Sequence, residues 1–318
     1  MKLVKSFFAI LVTVLLVGSA VYYKYDDVTT TSVAEATEQE TVTLTIAYLP
    51  ITHALPLFEA AELLEEQNSN VQIELVKYGS WSDLMDALNS GRVDGACVLI
   101  EMAMKSKEQG INLTLSLLGH RDGNVIITSN DIETGDQLAG KTFAIPNTQS
   151  SHNILLQLLL EEYGLTLDDI EVVELAPAEM PAALQSGQID GYCVAEPFGA
   201  KAVDAGIGKV FATSDELWDD SICCGIVFNA DAIANKLDAV EVFEEIYEEA
   251  GELLTEEESE RIAIEYLDQE ESIVDLSLQW ISFTDLEVTE SAYESLTEKM
   301  ISFGLSDSPP DYESFVMD

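Results

Sequence analysis

The chain is poor in positive charge: 14 lysines and arginines stand against 59 aspartates and glutamates in 318 residues, a formal net charge of -45. Binding to nucleic acid depends on clustered Lys and Arg that displace counterions from phosphates, so DNA and RNA are excluded as partners. Histidine is scarcer still, with three residues, and cysteine reaches four. Cys97, Cys193, Cys223 and Cys224 are too few for a disulfide scaffold and lack the spacing of a zinc site, so they read as small buried hydrophobes and no metal is expected. Also missing are an HExxH pair, a serine nucleophile elbow and a glycine loop that cradles phosphate. Carboxylates are too numerous to single out a pair. No catalytic set and no cofactor are therefore expected, and the chain reads as a non-enzyme.

One long apolar run is present. Phe7 to Val17 follows Lys2 and Lys5 and precedes Gly18-Ser19-Ala20, which suits an export signal. The run is short for a spanning helix, but Ala20 to Tyr23 extends it, so 1–23 is read as a signal peptide or an N-terminal membrane anchor. Residues 24–41 are rich in Thr, Glu and Ser and read as a disordered linker. The expected location is extracytoplasmic, tethered to the cell membrane, where an acid excess favours solubility.

The rest is organised by a duplication. Leu84 to Gly110 (LMDALNSGRVDGACVLIEMAMKSKEQG) returns about 96 residues later as Met180 to Gly206 (MPAALQSGQIDGYCVAEPFGAKAVDAG). Both contain Ala-Leu-x-Ser-Gly-x-(Val/Ile)-Asp-Gly-x-Cys-Val, then a Lys and a closing Gly. Leu84, Ala87 and Leu88 recur at helical spacing, Ser90-Gly91 supplies a cap and turn, and Val93 to Val98 suits a buried parallel strand. The period is too long for a solenoid, so it predicts two similar α/β lobes. Strands are expected at 43–48, 71–76, 111–118, 125–128, 142–145, 170–175, 209–212 and 224–229, with helices at 55–66 and 154–163. Beyond Ala230 only helical periodicity remains. Lobe 1 is assigned to 42–120 and 225–318, lobe 2 to 121–224.

Two such lobes joined by more than one crossing enclose a cleft. Ligands of parallel sheets bind beyond the carboxyl ends of strands, beside helix N-termini. The polar residues at those places are therefore the candidates: Thr52 and His53 after the first strand, Trp81 after the second, Asn124 at the crossing, Ser150 and His152 at the head of the second lobe's apolar helix, and Glu196 after the repeat strand. All three histidines fall at such positions, and the helix dipole at His152 is expected to disfavour its charged form.

Taken in order, Ala47-Tyr48-Leu49-Pro50-Ile51-Thr52-His53-Ala54, Gly79-Ser80-Trp81, Leu88 to Asp94, Gly123 to Thr128, Ser151-His152-Asn153 and Val194-Ala195-Glu196-Pro197-Phe198 resemble the nitrate/sulfonate/taurine/bicarbonate group of ABC-transporter solute-binding proteins. The resemblance implies a type II periplasmic-binding-protein fold: two α/β lobes with a cleft between them, monomeric, that capture a small solute and deliver it to a membrane permease with its ATPase. It implies that Trp81, Asn124, His152 and Glu196 line or neighbour the ligand. The nitrate-like members carry a basic residue shortly after Trp-x-Asp, whereas Trp218-Asp219-Asp220 continues here into Ser221-Ile222-Cys223-Cys224. A desolvated anion without a cation is costly, which weighs against nitrate and leaves sulfonate, bicarbonate or a thiamine-precursor-like heterocycle. Two alternatives share the fold: a pyrimidine-synthase-like enzyme, signalled by bound pyridoxal phosphate or iron, and a solute-sensing ectodomain.

Overall fold

The structure, a computed structural model, describes residues 41–317. The expected leader at 1–23 and nearly all of the linker at 24–41 lie outside the described residues. Among the described residues there are twelve strands: β1 (Val42–Tyr48), β2 (Val71–Lys77), β3 (Gly95–Leu99), β4 (Leu113–Leu118), β5 (Arg121–Asp122), β6 (Asn124–Thr128), β7 (Thr142–Ile145), β8 (Glu171–Glu174), β9 (Gly191–Ala195), β10 (Lys209–Thr213), β11 (Cys224–Asn229) and β12 (Ile281–Ser282). They build two five-stranded sheets, β2-β1-β3-β11-β4 and β10-β6-β9-β7-β8. In the first, β1 pairs in parallel with β2 and β3, while β11 lies antiparallel between β3 and β4. The second repeats this plan, with β7 parallel to β8 and β9 and with β6 antiparallel between β9 and β10. Each sheet thus receives one reversed strand across a crossing from the other. This strand order is the one expected of a type II periplasmic-binding-protein architecture.

The duplicated segment explains itself in the pairing. In each copy a helix (Trp81–Asn89, Met180–Gln185) ends at a Ser-Gly pair whose glycine has positive φ, 72° at Gly91 and 69° at Gly187, where a side chain would be strained. The next aspartate ties the new strand to the old. Asp94 Oδ2 accepts the Thr45 amide at 2.8 Å, and Asp190 Oδ2 accepts the Thr142 amide at 2.9 Å. Each aspartate is also met by a lysine, Lys236 at 2.7 Å and Lys141 at 3.0 Å. The glycine after it is required because a Cβ at Gly95 would meet the Phe228 ring at 2.8 Å, and one at Gly191 would meet the Ile127 carbonyl oxygen at 2.7 Å. Cys97 and Cys193 then occupy the middles of β3 and β9, and both are buried.

Helices after Asn229 mostly cover the first sheet. Ala230–Leu253 packs on helix Leu55–Glu66 and on β1, and helix Glu256–Leu267 packs against the same Leu55–Glu66. Helix Glu271–Ser277 instead packs against Phe198–Asp204, which flanks the second sheet. Just beyond it, β12 pairs with β5 inside the first crossing, and the Gly123 amide donates to the Trp280 carbonyl at 2.9 Å. Arg121, also in that crossing, spends its guanidinium on the carbonyls of Asp285 and Glu287 and on the Asp220 carboxylate. This two-residue ladder was invisible to periodicity, which read the region as helical throughout.

Candidate ligand cleft

In each sheet the four strands other than the reversed one run toward the same edge, and the two carboxyl edges meet. Along the first sheet that edge holds Thr52 and His53 after β1, Trp81 after β2, Glu101 after β3, His120 after β4, and Cys223-Cys224 where the reversed β11 begins. Along the second it holds Ser150 to His152 after β7, Glu196 after β9, and Asn124 where the reversed β6 begins. The edges touch directly: the Thr52 amide and Oγ1 both donate to the Glu196 carbonyl, at 2.9 and 3.0 Å. Cys223 Sγ reaches Asn124 Oδ1 at 3.8 Å.

The seven residues expected from sequence are all buried, but they do different jobs. Thr52 holds the two edges together. Ser150 is committed to its own helix, accepting the Asn153 amide at 3.3 Å and donating to the Asn147 carbonyl at 2.6 Å. Trp81 begins helix Trp81–Asn89 behind the capping Ser80, with its indole N–H unpartnered. Glu196 Oε2 accepts the Ala200 amide at 2.8 Å and Oε1 makes no well-formed hydrogen bond. Burial pushes its carboxyl up to about 7, against the Ala200 amide and the Trp280 indole, which favour the ion. His152 lies at the head of helix Ser151–Glu162 with neither ring nitrogen bonded. Burial lowers it to about 4, the direction expected, with desolvation as the leading cause.

Sequence reasoning left Glu101, Cys223 and Cys224 out of the site, and placed His120 at a cleft position without counting it among the seven. His120 stacks on His53 with ring centroids 3.4 Å apart, and its ring nitrogens make no well-formed hydrogen bond. Burial first, and then His53, lowers it to about 4. Glu101 is wholly buried beside Ser151, at the start of helix Ile100–Glu108, and desolvation raises its carboxyl far above the usual range. Cys223 and Cys224 lie side by side, 3.6 Å between sulfurs, and Cys224 Sγ is 3.5 Å from His53 Nδ1. Burial works to raise the Cys223 thiol, but hydrogen bonding with Cys224, His120 and His53 holds it low, whereas burial and its neighbour push Cys224 up. His53, His120, Cys223 and Cys224 place their donor atoms within 4.8 Å of one another. The vicinal cysteines next to a returning strand, together with histidines at strand ends, were the available signal.

Chemically, the cleft is a buried set of imidazoles, thiols, carboxyls and amides that can bind through hydrogen bonds or lone pairs. The basic side chain nearest to it in sequence, Arg121, is already occupied.

The NMT1-like family model matches residues 37–268. The nitrate import ATP-binding protein NrtC of Synechocystis is 28% identical over 203 residues, 57% of this chain. The chain spans 30% of that protein's length. The ligand-binding component of an ABC-type import system from Staphylococcus aureus, solved with zinc bound, is 36% identical, covering 86% of this chain and 96% of that one, with a TM-score of 0.83. The periplasmic nitrate-binding protein NrtA from Synechocystis is 20% identical over 86% of this chain and 84% of its own, with a TM-score of 0.74, a likeness of fold.

Proposed function

The chain belongs to the NMT1-like family, and on that premise we propose that it is the extracytoplasmic solute-binding component of an ABC importer. It holds a small solute between the carboxyl edges of its two sheets and hands it to a membrane permease driven by an ATPase, with the segment at 1–23 exporting or tethering it. One observation carries the reading: two facing edges bury a row of polar groups, among them the His152 ring and Glu196 Oε1, that the protein itself leaves unbonded. Buried polar atoms without partners cost about 1–3 kcal/mol each, and a bound solute repays that cost. The crossings between the sheets supply the hinge on which such lobes close.

Of the solutes expected from sequence, free anions fit least. The groups acting most strongly on Glu101, His152 and Glu196 are burial, a cysteine, a histidine and uncharged hydrogen-bond donors, with no lysine or arginine among them. Desolvating nitrate or a sulfonate there has no cationic counterweight.

The test is a thermal-shift panel of nitrate, bicarbonate, alkanesulfonates, pyrimidines and divalent cations, paired with small-angle scattering. A true solute raises the melting temperature saturably, shrinks the radius of gyration, and is recovered unchanged. A panel in which no member moves either quantity defeats the reading.

A further inference from the structure

Two spacings within a group of four donors in the cleft meet a stricter geometric standard than hydrogen bonding requires. With Zn–S near 2.3 Å and Zn–N near 2.0–2.1 Å, tetrahedral coordination sets neighbouring donors roughly 3.3–3.8 Å apart. The Cys223–Cys224 sulfurs are separated by 3.6 Å, and His53 Nδ1 lies 3.5 Å from Cys224 Sγ. His120, stacked on His53, completes a group whose donor atoms all lie within 4.8 Å.

The second nitrogen of His53 fixes its role. Nε2 lies 3.0 Å from the Gly123 carbonyl, which can only accept, so Nε2 carries the proton and Nδ1 presents a lone pair toward the sulfurs. A backbone carbonyl behind a coordinating imidazole is the usual way a metal-binding histidine is oriented. Both nitrogens of His120 lack a well-formed bond although the residue is 1% exposed. Coordination satisfies one of them.

Charge points the same way. Two thiolates and two neutral imidazoles cancel a divalent cation, so the loaded site is neutral and tolerates burial. Binding is M2+ plus two thiols giving the dithiolate complex and about two released protons, with no change of oxidation state.

We propose that His53, His120, Cys223 and Cys224 bind a thiophilic divalent transition cation of the Zn2+ type, and that this ion is the solute captured in the cleft. This deepens the importer reading and rests on it. The ligands come from three separated segments: the loop after β1, the end of β4 leading into the first crossing, and the close of the second crossing. A structural zinc site usually draws its ligands from short local spacings. All four stand on the edge of the first sheet, so opening the lobes leaves the donors together and uncovers them, and closing seals them from solvent. The second sheet covers the site with Asn124 against Cys223.

The experiment uses reduced, chelator-dialysed protein titrated with ZnCl2 by calorimetry in two buffers of different ionisation enthalpy. In parallel Co2+ is added as an optical probe, with Ca2+ and Mg2+ as controls for the acidic surface. Expected are one Zn2+ per chain, about two protons released, and a Co2+ spectrum with thiolate charge-transfer bands and tetrahedral d–d bands. Cys223→Ser and His120→Asn should each weaken Zn2+ on the order of 100-fold or more while keeping the far-ultraviolet dichroism of the parent. The bound ion should exchange within minutes against a chelator and should shrink the radius of gyration. Cobalt spectra without thiolate bands, or equal Zn2+ affinity in Cys223→Ser, overturn the site even if the variants misfold, since the first is read on the parent protein. An ion that resists chelation while the lobes stay fixed overturns its role as cargo. A shift caused by a pyrimidine or sulfonate, with no metal uptake, defeats this inference and leaves the importer standing; silence from every ligand defeats both.

Discussion

Replacing Glu196 with glutamine tests whether the second edge of the cleft is as dry as its burial implies. The Glu196 carboxyl is wholly buried, with a pKa raised from 4.5 to about 7 chiefly by desolvation. In the unfolded chain it titrates near the ordinary value. Below about pH 4.5 both states are protonated and the residue is neutral toward stability. Between about 4.5 and 7 the unfolded carboxyl ionises first, so stability declines as pH rises; above about 7 both are ionised and the penalty is constant. At about 1.4 kcal/mol per tenfold change in proton affinity, that penalty reaches about 3 kcal/mol. Glutamine keeps an oxygen for the Ala200 amide and never ionises. The stability of Glu196→Gln relative to the parent should therefore climb by about 3 kcal/mol between about pH 4 and pH 8. Urea unfolding followed by dichroism at five pH values measures it, and any constant offset from the amide cancels in the comparison. Parallel stability curves, or a relative gain largest in acid, refute the reasoning.

Other outcomes follow from the duplicated module. Asp190→Ala removes the acceptor for the Thr142 amide and should cost about 1–2 kcal/mol, with Asp94→Ala losing a similar amount at Thr45; additive losses in the double variant by chemical denaturation would confirm two independent modules. Gly191→Ala should destabilise by about 1–3 kcal/mol and more than Gly95→Ala, because its Cβ meets a backbone carbonyl where the other meets side chains able to shift. Ser150→Ala should lower the melting temperature by an amount matching about 1 kcal/mol while leaving solute affinity unchanged, since its hydroxyl caps a helix. Cys97 and Cys193 should resist a thiol reagent in native protein and react only on unfolding, because burial holds both thiols protonated.

Between Val42 and Asn229 the strands were legible because alternation, apolar runs and glycine turns repeat twice, and each copy interprets the other. Helix Leu55–Glu66 and strand Cys224–Asn229 fall where periodicity put them. What escaped was short or distant. A two-residue ladder such as Ile281–Ser282 has no period to detect. His53 and Cys224 are 171 positions apart, so no local spacing announces their meeting. Glu101 is one acid among 59, distinguished only by its burial. Ser150 is the converse case: its hydroxyl at a helix head is bonded to Asn147 and Asn153, which shows only when the hydrogen bonds are traced.

The pairing of Ile281–Ser282 with Arg121–Asp122 makes the carboxyl-terminal quarter of the chain a party to any opening movement. Swinging the lobes apart about the first crossing either carries this tail along or peels it away, together with the grip of Arg121 on the Asp285 and Glu287 carbonyls. On the proposed closure the tail is a bridle on the hinge. It reaches the cleft as well, since Gly123 joins Trp280 to His53, so loosening that strap should alter both the gape and the bite.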